Sequence, residues 1–213
     1  RVGRDGAMDP VTLLGLVMGA RYDGADSLLD PRRGFRLNLT AIPYADLLNS
    51  GGFVRTVGTV RTYFDVTGDG GSVVALRGTL GSLIGADSNV PLDKRFYAGG
   101  GGSVRGYPYQ SIGPQTLTGQ PKGGSNLLET SLELRQRLWG NWGGALFADT
   151  GAISDLNFPG TGGWSVGVGA GVRYYTPIGP VRLDVAQRMA EFPSISEQLL
   201  GALAADLRTA RAT

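Results

Sequence analysis

Polar and apolar residues alternate along much of this chain of 213 residues. The clearest example is 126–138, NLLETSLELRQRL, in which Leu132 and Leu134 alternate with Glu133 and Arg135. Successive side chains of a β-strand point to opposite faces of a sheet. This segment is therefore predicted to be a strand with one charged face and one apolar face.

The same alternation, weaker in places, predicts seven further strands. They cover 11–22, 35–42, 53–66, 72–84, 142–153, 165–175 and 181–186. Short segments rich in Gly, Asn, Asp and Pro separate several neighbouring strands, at 67–71, 139–142 and 176–180. Such segments form tight turns, so consecutive strands are expected to pair antiparallel.

Short turns alternate with longer connections, of which 85–123 is by far the longest. This arrangement is typical of outer-membrane barrels, whose strands of about 9–11 residues cross the bilayer at a tilt. A soluble sandwich or lipocalin-like barrel would show the same period of two. However, the polar face carries Arg, Glu, Asp and many glycines, with lysine only at Lys94 and Lys122, which favours a polar lumen. The predicted fold is therefore all-β, an antiparallel transmembrane β-barrel.

Composition narrows the function mainly by exclusion. The chain has no histidine and no cysteine, which excludes Ser-His-Asp and Cys-His catalytic sites and the usual zinc ligands. The net charge of +2, with no run of basic residues, argues against a nucleic-acid partner. The 36 glycines follow no collagen period and indicate tight turns or strands with one crowded face. We expect no cofactor, no metal and no enzymatic activity.

The segment 95–114, RFYAGGGGSVRGYPYQSIGP, combines four consecutive glycines with an arginine and several aromatic residues, unlike a flexible linker. Together with GGSNLLETSLELR, NWGGALFADTGAISD, GVGAGVRYYTPIGPVRLDVA and the earlier YDGADSLLDPRRGF, it resembles the C-terminal barrel of the bacterial surface-antigen family of outer-membrane assembly factors. The best-known members of this family are BamA and TamA, and the resemblance covers nearly all of 11–188. TamA is the better match because the loop is compact.

The resemblance implies a sixteen-stranded barrel, of which residues 1–190 would supply about eight strands of the C-terminal half. It implies a protein of the Gram-negative outer membrane that helps insert or secrete client proteins without nucleotide hydrolysis, as in the translocation and assembly module. The expected partners are outer-membrane lipid, nascent outer-membrane or secreted client proteins, and a TamB-type periplasmic protein. A polypeptide secretion channel of the two-partner type is an alternative, as is a non-functional fragment.

The resemblance also implies that the long loop, 85–123, folds back into the lumen, where its arginine meets acidic residues of the wall. In this sequence the arginine is Arg105 and its partners are Glu133 and Asp149, which lie on the polar parity of neighbouring predicted strands. A guanidinium binds carboxylates through a rigid fork of donors. The loop motif is Val104, Arg105, Gly106 and Tyr107, supported by Phe96, Gly99 and Gly100, and Tyr109 is expected to pack in the lumen beside Tyr107.

Other charged and aromatic residues are predicted to have simpler roles. Three tryptophans at strand ends are expected to lie at the lipid boundary, as in an aromatic belt. They are Trp139, Trp142 and Trp164. Ordinary wall charges are predicted at Glu129, Arg137, Arg182 and Asp184.

The barrel pattern stops after residue 190. The segment 191–213 is predicted to be an atypical tail that becomes helical from Ser194, with leucines in helical spacing and arginines near its end. The family's closing strand is therefore expected to be absent, and the chain is expected to be a fragment of a larger barrel.

Overall fold

The computed structural model of the chain describes residues 11–48, 51–85, 90–155 and 163–192. Within these ranges the chain forms one antiparallel sheet of nine strands, in which all neighbours from β3 to β9 follow sequence order. The strands are β1 Leu13–Gly15, β2 Met18–Asp23, β3 Gly34–Asp46, β4 Gly51–Asp65, β5 Ser72–Ile84, β6 Asn126–Arg137, β7 Trp142–Ser154, β8 Trp164–Thr176 and β9 Gly179–Phe192. The predicted all-β antiparallel fold is confirmed.

The predicted strand 11–22 is divided into β1 and β2, both of which pair with β3. Gly15, the last residue of β1, pairs with Tyr44, and Met18, the first residue of β2, pairs with Ala41. The break between β1 and β2 therefore lies opposite the part of β3 that contains Pro43. Proline has no backbone N–H to donate to a neighbouring strand. This accounts for nine strands where the alternation predicted eight.

The two faces of the sheet differ sharply in polarity. One face, called here the apolar face, carries large hydrophobic side chains that no part of the described chain covers. They include Phe35, Leu39, Val60, Leu76, Leu80, Leu132, Leu146, Val172 and Leu183. A soluble barrel would bury these side chains and expose the charges instead. The polar face is thus the inner one, as the sequence favoured, and the apolar face suits contact with lipid.

The long connection between β5 and β6 folds back against the polar face. It contains a short 3-10 helix, Leu92–Lys94, and three isolated bridges, which pair Phe96 with Gly124, Ala98 with Ile112 and Gln115 with Pro121. Its apolar residues join a buried core with side chains of the sheet. The core includes Phe96, Ala98, Val104, Tyr107 and Ile112 of the loop, and Phe53, Leu83, Leu127 and Ile153 of the strands.

The remaining sequence predictions concern the chain ends and the tryptophans. Strand β9 extends to Phe192, two residues beyond the predicted end of the barrel pattern. The predicted helix from Ser194 lies outside the described residues. Trp139 and Trp142 lie exposed at the β6–β7 turn. The rings of Trp142 and Tyr174 pack edge-on, with 4.9 Å between their centroids. Across the described parts of the chain, no helix is both long and apolar enough to span a membrane.

Candidate functional site

The loop reaches the wall through a tight turn built on glycine. Gly99 and Gly100 have φ angles of 106° and 99°, a region that disfavours any residue with a Cβ. A Cβ on Gly99 would also lie 2.5 Å from the carbonyl oxygen of Pro108. The Ser103 hydroxyl accepts a hydrogen bond from the Gly99 N–H at 2.9 Å, closing the turn. This turn directs the next two residues, Val104 and Arg105, toward the sheet.

Arg105 is the centre of the site and binds three carboxylates. Its Nε and Nη2 donate to the two carboxylate oxygens of Asp149 at 2.6 and 2.9 Å, a bidentate pair. Its Nη1 donates to Glu133 at 2.9 Å and to Asp184 at 3.2 Å. The backbone N–H of Arg105 also donates to Asp149, at 3.1 Å. Asp149 is only 1% exposed, so Arg105, rather than water, is the main group that neutralises its negative charge.

Neighbouring wall residues complete the network around these carboxylates. Ser131 donates to Asp149 at 2.6 Å, and Arg135 donates to the second oxygen of Glu133 at 2.9 Å. Arg173, which is 1% exposed, pairs with Asp184 and with Glu133. Three arginines therefore face three carboxylates, and the charges within this ion-pair network balance.

Two further effects keep Arg105 cationic and oriented. Burial works to lower the pKa of its guanidinium, but hydrogen bonds to Asp149 and Glu133 outweigh burial, so the pKa lies above its usual value. The guanidinium carbon lies 3.4 Å from the centre of the Phe147 ring, in cation–π contact. Arg105 is thus a permanent charge that anchors the loop, and it has no proton to exchange near neutral pH.

Apolar loop residues fit into the wall at positions where the strands carry glycine. A Cβ on Gly81 would lie 2.6 Å from the Phe96 ring, and one on Gly151 would lie 2.7 Å from Val104. The carbonyl oxygen of Arg105 would be only 2.0 Å from a Cβ on Gly167. The wall glycines therefore form recesses for the docked loop.

Tyr107 and Tyr109 have different positions. Tyr107 is 6% exposed, and its hydroxyl donates to the carbonyl of Val166 at 3.4 Å. Tyr109 is 78% exposed, so the expectation that it packs in the lumen was wrong. Gly106, directly before Tyr107, has a φ of 94° and brings the chain close to the backbone of Gln187.

Comparison with known proteins identifies the family. Residues 5–195 match the family model described as the Omp85 superfamily domain. The chain belongs to the Omp85 superfamily. Its fold is similar to that of BamA from Haemophilus ducreyi lacking POTRA domains 1–3, with a TM-score of 0.69 and 20% sequence identity. The match covers 84% of this chain and 39% of that one, so the chain spans less than half of the BamA structure.

Membership of the Omp85 superfamily confirms the predicted resemblance to the BamA and TamA group and the location in the bacterial outer membrane. The structure brings Arg105, Glu133 and Asp149 of this Omp85 chain together. It also adds residues that sequence reasoning treated as ordinary wall charges or did not select. Asp184 accepts a hydrogen bond from Arg105, and Glu129 accepts one from Ser103. Arg137 pairs with Asp30 at 2.8 Å. Arg173 and Ser131 bind carboxylates of the site, namely Asp184 and Asp149.

Asp149→Asn is expected to loosen the loop of this Omp85 chain. The amide removes the counter-charge and places an N–H₂ group against the donors of Arg105, and breaking one partner of a buried pair costs about 3–5 kcal/mol. Trypsin cleavage after Arg105 should then be at least about tenfold faster, because cleavage tracks the population of the open form. Asp93→Asn is the matched control, since Asp93 is 67% exposed and pairs with the adjacent Lys94. Equal cleavage rates in the two variants would contradict the role of Asp149.

Proposed function

We propose that this chain is part of an outer-membrane protein assembly or translocation factor of the TamA type. Such a factor helps client proteins insert into or cross the outer membrane without hydrolysing nucleotides. The observation that carries the proposal is the loop held on the polar face by Arg105, in a chain of the Omp85 superfamily. The expected partners are membrane lipid, nascent client proteins and a TamB-type periplasmic protein.

In this proposal the loop acts as an internal latch. Arg105 joins the loop to carboxylates on β6, β7 and β9, strands that are not all adjacent in the sheet. A bond to all three fixes their relative position as well as that of the loop. The latch would therefore stiffen this part of the wall while clients are handled elsewhere on the barrel. Its role is binding and support, so we assign no catalytic residue.

The compact loop supports the TamA type over BamA, and the loop residues fit a two-partner secretion channel less well. The full-length gene separates these alternatives. Three periplasmic modules preceding the barrel would support the TamA type, whereas two modules would support the secretion channel. Membership of the superfamily does not distinguish the TamA type from BamA or from the secretion channel.

The proposed activity can be tested with the full-length protein reconstituted in liposomes. A urea-denatured outer-membrane barrel protein is added, and its folded fraction is followed by the mobility shift of unheated samples in gels. We expect folding to be about tenfold faster than in liposomes without the protein, equivalent to a barrier lower by about 1.4 kcal/mol. Liposomes with an unrelated barrel protein are the control. Equal rates in all three preparations would contradict the assembly function.

A further inference from the structure

A second feature of the polar face is a cavity of about 680 Å³ beside the latch. It is bounded by the wall, by loop residues 101–103 and by the β2–β3 connection at 28–31. Among the described residues, seven arginines line it, against three acidic residues, Asp30, Glu133 and Asp184. The cavity therefore carries a marked excess of positive charge.

Apart from the exposed Arg182 of β9, the arginines of the cavity form two groups. Arg105, Arg135 and Arg173 belong to the balanced ion-pair network. Arg36, Arg61 and Arg77 instead form a row across three neighbouring strands, with Arg36 opposite Arg61 and Arg61 opposite Arg77. We call these three residues the arginine row. Like charges directly opposite each other in a sheet are destabilising unless something compensates them.

The two ends of the arginine row have partners. Arg36 donates to Asp23 at 2.8 Å and to the carbonyl oxygen of Leu28 at 3.2 Å. Arg77 donates to the carbonyl oxygens of Gly102 and Ser103, both at 2.6 Å, but no carboxylate in the described part of the chain pairs with it. Its Nε is buried and has no hydrogen-bond partner within the described ranges.

The central member of the row is the least compensated. Within residues 11–48, 51–85, 90–155 and 163–192, Arg61 has neither a hydrogen bond nor an ion pair to its guanidinium. It is half-buried and lines the cavity. A guanidinium held between two others, without an anion, is an unfavourable arrangement in a partly desolvated site.

We propose that the arginine row is an anion site for a phosphate-bearing ligand, with Arg61 as its main contact. Guanidinium forks match both carboxylate and phosphate oxygens. Arg61 and Arg77 together leave two charges uncompensated, so a doubly charged phosphate group neutralises both, whereas a carboxylate neutralises one. The cavity volume lies within the range of about 300–1,000 Å³ found for small-molecule sites.

The ligand phosphate has two chemical sources, a free phosphate ion or the headgroup of a phosphorylated lipid. Leu28, Leu29 and Ile178 line the same cavity and offer apolar contact beside the arginine row. A free ion would use the arginines alone. A lipid would also contact these three side chains and would therefore bind more tightly.

The test uses the full-length protein in a non-ionic detergent and a phosphate-free buffer. Inorganic phosphate and dihexanoyl phosphatidic acid, the latter below its micelle concentration, are titrated separately by calorimetry. We expect saturable binding of one equivalent to the wild type and at least about tenfold weaker binding to Arg61→Gln. Lys122→Gln is the charge-matched control, because Lys122 is an exposed residue of the loop outside the cavity.

Arg61→Lys is a second variant that keeps the charge and loses the fork, and it is expected to bind more weakly than wild type and more tightly than Arg61→Gln. The mobility shift of unheated protein shows that each variant is folded. Tighter binding of the phosphatidic acid identifies a lipid headgroup, and equal binding of the two probes identifies the phosphate group alone. The proposal is overturned if neither probe binds the wild type saturably, or if both Arg61 variants bind like Lys122→Gln.

Discussion

Arg105→Ala is expected to release the loop and to lower the yield of folded barrel. The substitution leaves Glu133, Asp149 and Asp184 facing one another without their shared counter-charge, and Asp149 is almost fully buried. Removing one partner of a buried ion pair costs about 3–5 kcal/mol, a large part of the stability of a typical domain. The measurements are the fraction of protein that shows the mobility shift of a folded barrel, and client folding in the liposome assay.

Arg95→Ala is the matched control for this prediction. Arg95 lies on the same loop and is half-buried, but its Nε donates to the carbonyl oxygen of Val90 at 3.1 Å. Within the described residues it forms no ion pair. Its loss should therefore change the folded fraction little. Small and equal effects of the two substitutions would show that the Arg105 contacts contribute nothing to assembly.

Arg105→Lys separates charge from geometry. An ammonium restores the positive charge but cannot form the bidentate pair with Asp149 while also reaching Glu133. We expect the folded fraction of this variant to lie between those of the wild type and Arg105→Ala. Recovery to the wild-type value would mean that charge alone holds the loop.

Strand alternation was sufficient to predict much of the site. Glu133 and Asp149 both point to the polar face. The register of β6 with β7 places Asp149 opposite Ser131, which precedes Glu133 by two residues on the same strand. These positions follow from period-two patterning and from pairing of consecutive strands. The placement of Arg105 between them came from the resemblance of the loop motif to a family, since a loop has no periodicity from which to derive it.

The parts that sequence did not predict depend on tertiary geometry. Asp184 lies on β9, which is separated from β7 by β8, so its contact with Arg105 depends on how the loop sits across several strands. Tyr107 and Tyr109 are indistinguishable by residue type, and only the tertiary path of the loop buries Tyr107 and leaves Tyr109 exposed. The break between β1 and β2 reflects a proline on the neighbouring strand, whose position required the register.

The high glycine content has a specific explanation in this fold. Recesses at Gly81, Gly151 and Gly167 on the polar face accept a ring, a methyl group and a carbonyl oxygen of the loop. Glycine lowers the intrinsic stability of a strand, so its use here indicates close approach of another segment. The docked loop therefore requires complementary shape in the wall as well as complementary charge.

Gly167→Ala is expected to displace the loop almost as effectively as Arg105→Ala. A Cβ at this position would lie 2.0 Å from the carbonyl oxygen of Arg105, and a backbone atom cannot move aside as a flexible side chain can. Overpacking of a well-packed contact typically costs about 1–3 kcal/mol, and this clash is severe. The guanidinium would then be shifted from Asp149, and trypsin cleavage after Arg105 should become at least about tenfold faster.

Gly144→Ala tests whether the effect arises from the loop or from the strands. Gly144 lies on β7, on the apolar face of the sheet, away from the loop. The nearest atoms to a Cβ added there are 3.8 and 3.9 Å away, so trypsin should cleave this variant as slowly as the wild type. The double variant Gly167→Ala with Arg105→Ala should be about as unstable as Arg105→Ala alone, because a released loop no longer meets the added methyl group. Additive losses of folded fraction would instead assign the effect of Gly167→Ala to the β8–β9 pairing.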